Sequence, residues 1–194
     1  CDHGFLGRAL LISGKARYLV LVDQLPNLEV PLQGLMADQD PSCYDIRIAD
    51  ASRLQLSPQQ RQLVIVAGVG QDTVLAIVAG LCAGNDCRDT EFLLSPTGDI
   101  LALRRQLRAM GFVLLGEGFV SERGRGYPFI KVCLFHSQET QALTDLGQFW
   151  DPACPDQHRY LSRLKAHYQR QLYSPGLREQ LTPALEALDE VLAG

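Results

Sequence analysis

An α/β fold is expected, a doubly wound and mostly parallel sheet followed by a helical hairpin at the carboxyl end. Three observations point to it. Short β-branched runs alternate with stretches of helical spacing ahead of residue 137. Two runs, Tyr18-Leu19-Val20-Leu21-Val22 and Leu63-Val64-Ile65-Val66, are continuously apolar, as strands buried on both faces are. The second runs into the small-residue turn Ala67-Gly68-Val69-Gly70, where the backbone can turn sharply and approach a ligand. Open α/β sheets bind ligands outside the carboxyl ends of their strands, so this turn is the first candidate for a site wall.

The chain has 194 residues, enough for one sizeable core or for one domain plus an appendage. Hydrophobic content of 46% and charged content of 21% are ordinary for a globular protein. A net charge of −4 does not advertise a nucleic-acid binder, although a local basic patch is enough for one. The six cysteines, Cys1, Cys43, Cys82, Cys87, Cys133 and Cys154, form no C-x-x-C pair, so no metal site is expected. Their mostly apolar surroundings suggest reduced thiols and a cytoplasmic compartment. Neither a membrane span nor a signal peptide is visible, and no membrane partner is expected. The start at Cys1 reads as a truncated or incompletely ordered amino terminus.

In chain order, Asp2 and Gly4 suit a loop that enters a helix, with Leu6, Ala9, Leu10 and Ile12 at helical spacing. The strand that would precede this loop would lie upstream of Cys1. The strand 18–22 ends at Asp23 and Gln24. An acidic residue at that place typically takes ribose hydroxyls; otherwise Asp23 caps a helix over Pro26–Leu35. Tyr44–Ala49 alternates as a half-buried strand and ends at Asp50-Ala51. A turn at Ser57–Gln60 leads into strand 63–66. The apolar segment Thr73–Ala79 forms a helix that breaks at Gly84-Asn85-Asp86.

Glu91–Leu94 is a further strand, ending at Ser95-Pro96-Thr97-Gly98-Asp99. The segment Ile100–Met110 is an amphipathic helix bearing Arg104, Arg105 and Arg108, stopped by Gly111. Phe112–Leu115 and Ile130–Phe135 bracket a glycine-rich, charged loop from Glu117 to Pro128, the pair forming a hairpin or meander. In that loop Arg123, Arg125 and Tyr127 can meet a phosphate and a base, or simply form a solvated tip. Beyond residue 137, Leu161, Leu164, Tyr168 and Leu172 make an apolar helical stripe beside a basic one of Arg159, Arg163, His167 and Arg170. After a turn at Ser174-Pro175-Gly176, Leu177, Leu181, Leu185, Leu188 and Leu192 mark a second helix. The basic stripe is a solvated face or a contact to nucleic-acid backbone.

Candidate ligand residues thus fall at four strand ends: Asp2–Gly4, Asp23, Asp50-Ala51 and Ala67–Gly70. Two carboxylates there suit an adenosine, one for the ribose and one for the adenine amino group. NAD enzymes and S-adenosylmethionine methyltransferases share this arrangement. Neither a G-x-G-x-x-G fingerprint nor a P-loop is present.

Asp2-His3-Gly4-Phe5-Leu6, Ile65-Val66-Ala67-Gly68-Val69-Gly70, Leu93-Leu94-Ser95-Pro96-Thr97 and Leu103-Arg104 stand in a familiar order. With Glu117…Glu122…Arg125-Gly126-Tyr127 and Gly147-Gln148-Phe149-Trp150-Asp151-Pro152, the chain resembles the bacterial tRNA adenine-22 N1-methyltransferase family. Departures from its pattern are Gln71 for the second glycine of the turn, Ser95-Pro96-Thr97 for Gln-Pro-Asn, and Pro128 where the family tends to carry Glu.

The resemblance implies a class I (Rossmann-like) methyltransferase domain over 1–136 and a helical appendage over 137–194. It implies S-adenosylmethionine as cofactor, held by Cys1, Asp2, His3, Gly4, Asp23, Gln24, Asp50, Ala51, Ala67, Gly68 and Val69. Gly68, Gly70, Ser95, Pro96 and Thr97 would border the transferable methyl group. Arg104, Arg123, Arg125, Tyr127, Arg159 and Arg163 would meet a tRNA partner. The competing readings are a small-molecule or protein substrate on the same fold, and a non-catalytic binding module.

Overall fold

In a computed structural model the described residues are 4–57, 61–135, 137, 140–173 and 176–193. Cys1, Asp2 and His3 lie outside them, as do most of the expected turn at Ser57–Gln60 and Ser174-Pro175 of the later turn. The chain divides into two compact units, Cys1–Leu56 with Ile77–Asn85, and Ser57–Ala76 with Asp86–Gly194.

The first unit opens at Gly4, whose φ of 66° lies in the left-handed region. A Cβ there would also fall 2.8 Å from a Leu32 methyl and 2.9 Å from one of Leu35, so only glycine fits. Helix α1 (Phe5–Ile12) follows, then strand β1 (Leu19–Asp23), helix α2 (Glu29–Met36) and strand β2 (Tyr44–Ile48). Pro26–Leu28 forms a single 3-10 turn ahead of α2. The strands pair in parallel, from Leu19 opposite Tyr44 to Asp23 opposite Ile48. Parallel neighbours need a crossover, and α2 supplies it. Leu21, Leu32 and Met36 form the core, with Leu11, Leu19, Leu28, Tyr44 and Ile46 packed on it. Each such side chain, fully buried, stabilises the fold by about 1.5–3 kcal/mol. Helix α3 (Gln71–Gly84) belongs to this unit from Ile77 onward.

The second unit holds strands β3 (Gln62–Ala67), β4 (Thr90–Ser95), β5 (Val113–Glu122) and β6 (Arg125–Cys133), in the order β3-β4-β6-β5. β3 and β4 are parallel, whereas β6 runs antiparallel to both of its neighbours. β4 buries Thr90, Phe92 and Leu94 on one face. Phe92 meets Phe112 edge-on at 5.5 Å, a geometry that the ring quadrupole favours. Helix α4 (Ile100–Ala109) buries Ile100, Leu101, Leu103 and Leu107. Helices α5 (Pro155–Gln171) and α6 (Arg178–Ala193) bury Leu161, Leu164 and Tyr168, and Leu181, Ala184 and Leu188. Lys165 and Asp189 pair between them. All described residues beyond 136 fall in this unit.

The elements follow the expected order, with two corrections. β3 is not buried on both faces: it is the outermost strand of its sheet, and Leu63 is 47% exposed. Val20 on β1 is 37% exposed for a similar reason, its sheet having two strands. The charged loop 117–128 is instead mostly strand. Pairing runs to Glu122 opposite Arg125, leaving Arg123-Gly124 as a two-residue turn. Both turn residues have positive φ, 50° and 75°, which suits the right-handed twist of the flanking strands. The alternation there is masked by glycine and charge, and the ribbon is exposed only at its tip, over residues 120–125.

Candidate functional site

In the first unit, parallel pairing puts the carboxyl ends of β1 and β2 on one edge. Asp23 and Asp50 stand there. Asp23 Oδ1 accepts the Leu25 N–H at 3.0 Å, and its carbonyl accepts the Ala49 N–H at 2.8 Å. Asp50 Oδ1 accepts the Ser52 N–H at 2.9 Å and the Ser52 hydroxyl at 2.7 Å. The hydroxyl bond and then the amide hold the Asp50 carboxyl below the usual carboxylate range, so it stays an acceptor. Ala51 begins the 3-10 turn that Asp50 caps, and Gln24 is exposed just beyond Asp23.

In the second unit, the carboxyl ends of β3 and β4 lie side by side. Gly68, at φ 78°, donates its N–H to the Ser95 carbonyl at 3.2 Å. Thr97 donates its N–H to the Val69 carbonyl at 2.9 Å. A Cβ at Gly68 or Gly70 would meet no atom within 4 Å, so the backbone of the turn faces open space. Ala67 is exposed, Pro96 is buried and Thr97 is exposed. The Ser95 hydroxyl donates to the Pro128 carbonyl at 3.0 Å. The acceptor is a backbone carbonyl, so this bond depends on Ser95 and not on the side chain at 128.

The basic residues separate into two sets. Arg104 was expected to face RNA, but it is fully buried on α4. Its Nε donates to the Thr144 carbonyl at 2.5 Å and its Nη1 to Glu117 Oε2 at 2.6 Å. Arg105 and Arg108 both bind Asp145, at 2.6 and 2.9 Å. These three arginines clamp the segment that leads to α5. By contrast, Arg123 lies in the hairpin turn and Arg125 directly after it, and a Cβ on Gly124 would lie 3.6 Å from Arg159 Nη1. The structure thus brings the tip together with α5. Arg159 pairs with Asp156 at 3.1 Å, while Arg123, Arg125 and Arg163 form no ion pair among the described residues. His158, Arg159, Ser162 and Arg163 line an open groove of about 580 Å3 with Pro152 and Pro155. Tyr127 lies on β6 opposite Val120, half-buried.

Beside the tip, Trp150 stacks on Tyr160 at 5.7 Å and meets Phe149 at 4.2 Å. Three residues that the sequence did not nominate for the site support its loops: Gln71, Asp99 and Tyr168. The signal for Asp99 was its place just before a helix. The signal for Tyr168 was a hydroxyl within an otherwise apolar stripe. Among the described residues, no group of three or more His, Cys, Asp or Glu is placed to hold a metal.

The profile of the methyltransferase-domain family matches residues 1–130. The chain belongs to that family. Among solved structures, this methyltransferase domain and its helices are similar to the B. subtilis m1A22 tRNA methyltransferase TrmK. The TM-score is 0.75 at 14% identity, covering 99% of this chain and 89% of that one. A Streptococcus pneumoniae protein assigned as a tRNA (m1A22) methyltransferase, in complex with S-adenosyl-L-methionine, gives 0.74 at 19% identity over 98% and 88%. M. capricolum TrmK in complex with S-adenosyl-homocysteine gives 0.65 at 14% over 99% and 84%. At such identities the likeness is one of fold, the Rossmann-like methyltransferase fold. No curated protein matches the sequence at a significant level.

Proposed function

We propose that the chain is an S-adenosylmethionine-dependent methyltransferase that modifies N1 of an adenine in tRNA. The observation that carries this reading is the pairing of the Ala67–Gly70 turn with the Ser95–Thr97 loop at the ends of two parallel strands. Their backbone is open above Gly68 and Gly70. The family match and the functions of the similar structures support it.

The residues fit the cofactor. In the first unit, the carboxylates of Asp23 and Asp50 are acceptors for ribose hydroxyls and an adenine amino group, with Gln24 and Ala51 next to them in sequence and Gly4 at the start of α1. In the second unit, the small residues Ala67, Gly68 and Val69 admit a close approach. When bound, the cofactor supplies a methyl group on a positively charged sulfur.

N1 of adenine already carries a lone pair, so the chain need supply no general base. Its work is to orient the base and exclude water. The base must be unpaired or flipped to present N1. The Ser95 proton is committed to Pro128, so Ser95 can only accept, which matches the adenine exocyclic amino group. Thr97, exposed beside it, borders the same space. Arg123, Arg125, Arg159 and Arg163 meet phosphates, and the open groove on α5 suits RNA better than an enclosed small substrate. The region 1–136 then carries methyl transfer and, through Arg123 and Arg125, part of the RNA contact, to which the appendage 137–194 adds Arg159 and Arg163. A tRNA substrate implies a cytoplasmic protein. No described helix is long and apolar enough to cross a membrane.

Calorimetric titration with S-adenosylmethionine and S-adenosylhomocysteine tests the cofactor. Both should bind, and Asp23→Ala should weaken binding at least tenfold, the order expected for a lost charge-assisted hydrogen bond. Absence of binding to the unaltered chain would leave a binding module on an inherited fold.

A further inference from the structure

The loop between β4 and α4 is fastened at both ends. Besides the two backbone bonds from Gly68 and Thr97, the Asp99 N–H donates to Gln71 Oε1 at 3.1 Å. This third link needs a glutamine side chain where the family pattern has glycine. It also needs Gly98, because a Cβ there would lie 1.9 Å from the same Oε1. Asp99 then reaches further. Its Oδ1 accepts the N–H of Leu101 at 2.9 Å and of Ala102 at 3.2 Å, and the Tyr168 hydroxyl at 2.5 Å. Tyr168 lies on the buried side of α5, the helix whose other side carries Arg159 and Arg163. Burial first, and then the charge of Asp99, push the phenol's pKa up, so it stays a donor.

We propose that Gln71, Asp99 and Tyr168 form a positioning chain through which α5 holds the Ser95–Thr97 loop in the geometry for methyl transfer. It rests on the methyltransferase reading above. None of the three touches the reacting atoms. Gln71 fixes the loop from the turn, Tyr168 fixes it from the helical hairpin, and Asp99 joins them. Transfer between two oriented groups is sensitive to small displacements, about a hundredfold in rate for a shift of 1 Å. A loop held from three elements is displaced less than one held by its own backbone.

Tyr168→Phe removes only a hydroxyl and leaves the α4 cap in place. Gln71→Ala removes the link at the other end. Asp99→Asn keeps an acceptor oxygen and an equally good cap. The experiment measures hydrogen–deuterium exchange of the full chain without ligand, and kcat and KM for methyl transfer to tRNA. Tyr168→Phe and Gln71→Ala should each speed exchange across residues 97–102 and leave α6 as it was. Each should lower kcat about tenfold or more, with KM for tRNA and affinity for S-adenosylhomocysteine within about twofold of the unaltered chain. Asp99→Asn, which keeps the acceptor, should leave both readouts close to the unaltered values. Unchanged exchange at 97–102, or faster exchange spread through α5 and α6, would overturn the proposal. So would an unchanged kcat. If the unaltered chain transfers no methyl group, the functional reading has failed, and the exchange measurement alone decides the positioning chain.

Discussion

Arg104 and Arg105 are adjacent on α4, yet their environments differ sharply. Arg104 is fully buried against Glu117, whereas Arg105 is partly exposed and binds Asp145. Removing one partner of a buried pair leaves an uncompensated charge. Glu117→Ala should therefore cost about 3–5 kcal/mol in denaturant unfolding, and a loss under about 1 kcal/mol would refute the pair's structural role. The Asp145 carboxyl sits below its ordinary range. Burial raises it, but the bonds from Arg105 and Arg108 outweigh that. A lowered folded-state pKa contributes stability that is complete above the unfolded value of 3.8 and lost as pH falls through the folded one. Asp145→Asn should lower stability at neutral pH and flatten the loss below that value; parallel curves for both proteins would contradict the clamp. Neither role was legible locally. The helix pattern showed three arginines on one amphipathic helix, and only partners between 13 and 40 residues away decide what they do.

The β5–β6 hairpin and α5 are the elements through which RNA binding is proposed. Their closeness at Gly124 and Arg159 means that charge changes on either should act alike. Arg123→Glu and Arg163→Glu should each weaken tRNA binding. Each should also reduce the slope of log affinity against log salt by about one for every phosphate that is no longer neutralised. An unchanged slope for both would move the RNA surface elsewhere. Gly126 is crowded: a Cβ would fall 2.4 Å from Phe119 and 3.1 Å from Tyr160. Gly126→Ala should disturb the cluster around Trp150, visible as a shift in tryptophan fluorescence, while the distant strand β3 stays intact. The cores of the strands and the stripe on α5 were legible because apolar periodicity is a local property. The length of the hairpin was not, since its polar outer half is strand only by pairing with its partner.

For the molecule as a whole, alternating segments and the glycine turn were enough to read the α/β class. Residues at the carboxyl ends of strands nominated a candidate site, whose role rests on proposal. The loop's fastening was not readable, because the Tyr168 hydroxyl and Asp99 are 69 residues apart. Membership of the methyltransferase-domain family makes the fold's chemistry plain, and the acceptor is the part that rests on proposal. The decisive measurement is nucleoside mass spectrometry of tRNA transcripts incubated with the chain and S-adenosylmethionine. The account predicts N1-methyladenosine at one position, and its disappearance when that adenine is replaced by guanine. A chain that binds S-adenosylmethionine yet leaves no methyl group on any tRNA, or places it on another atom, would contradict it.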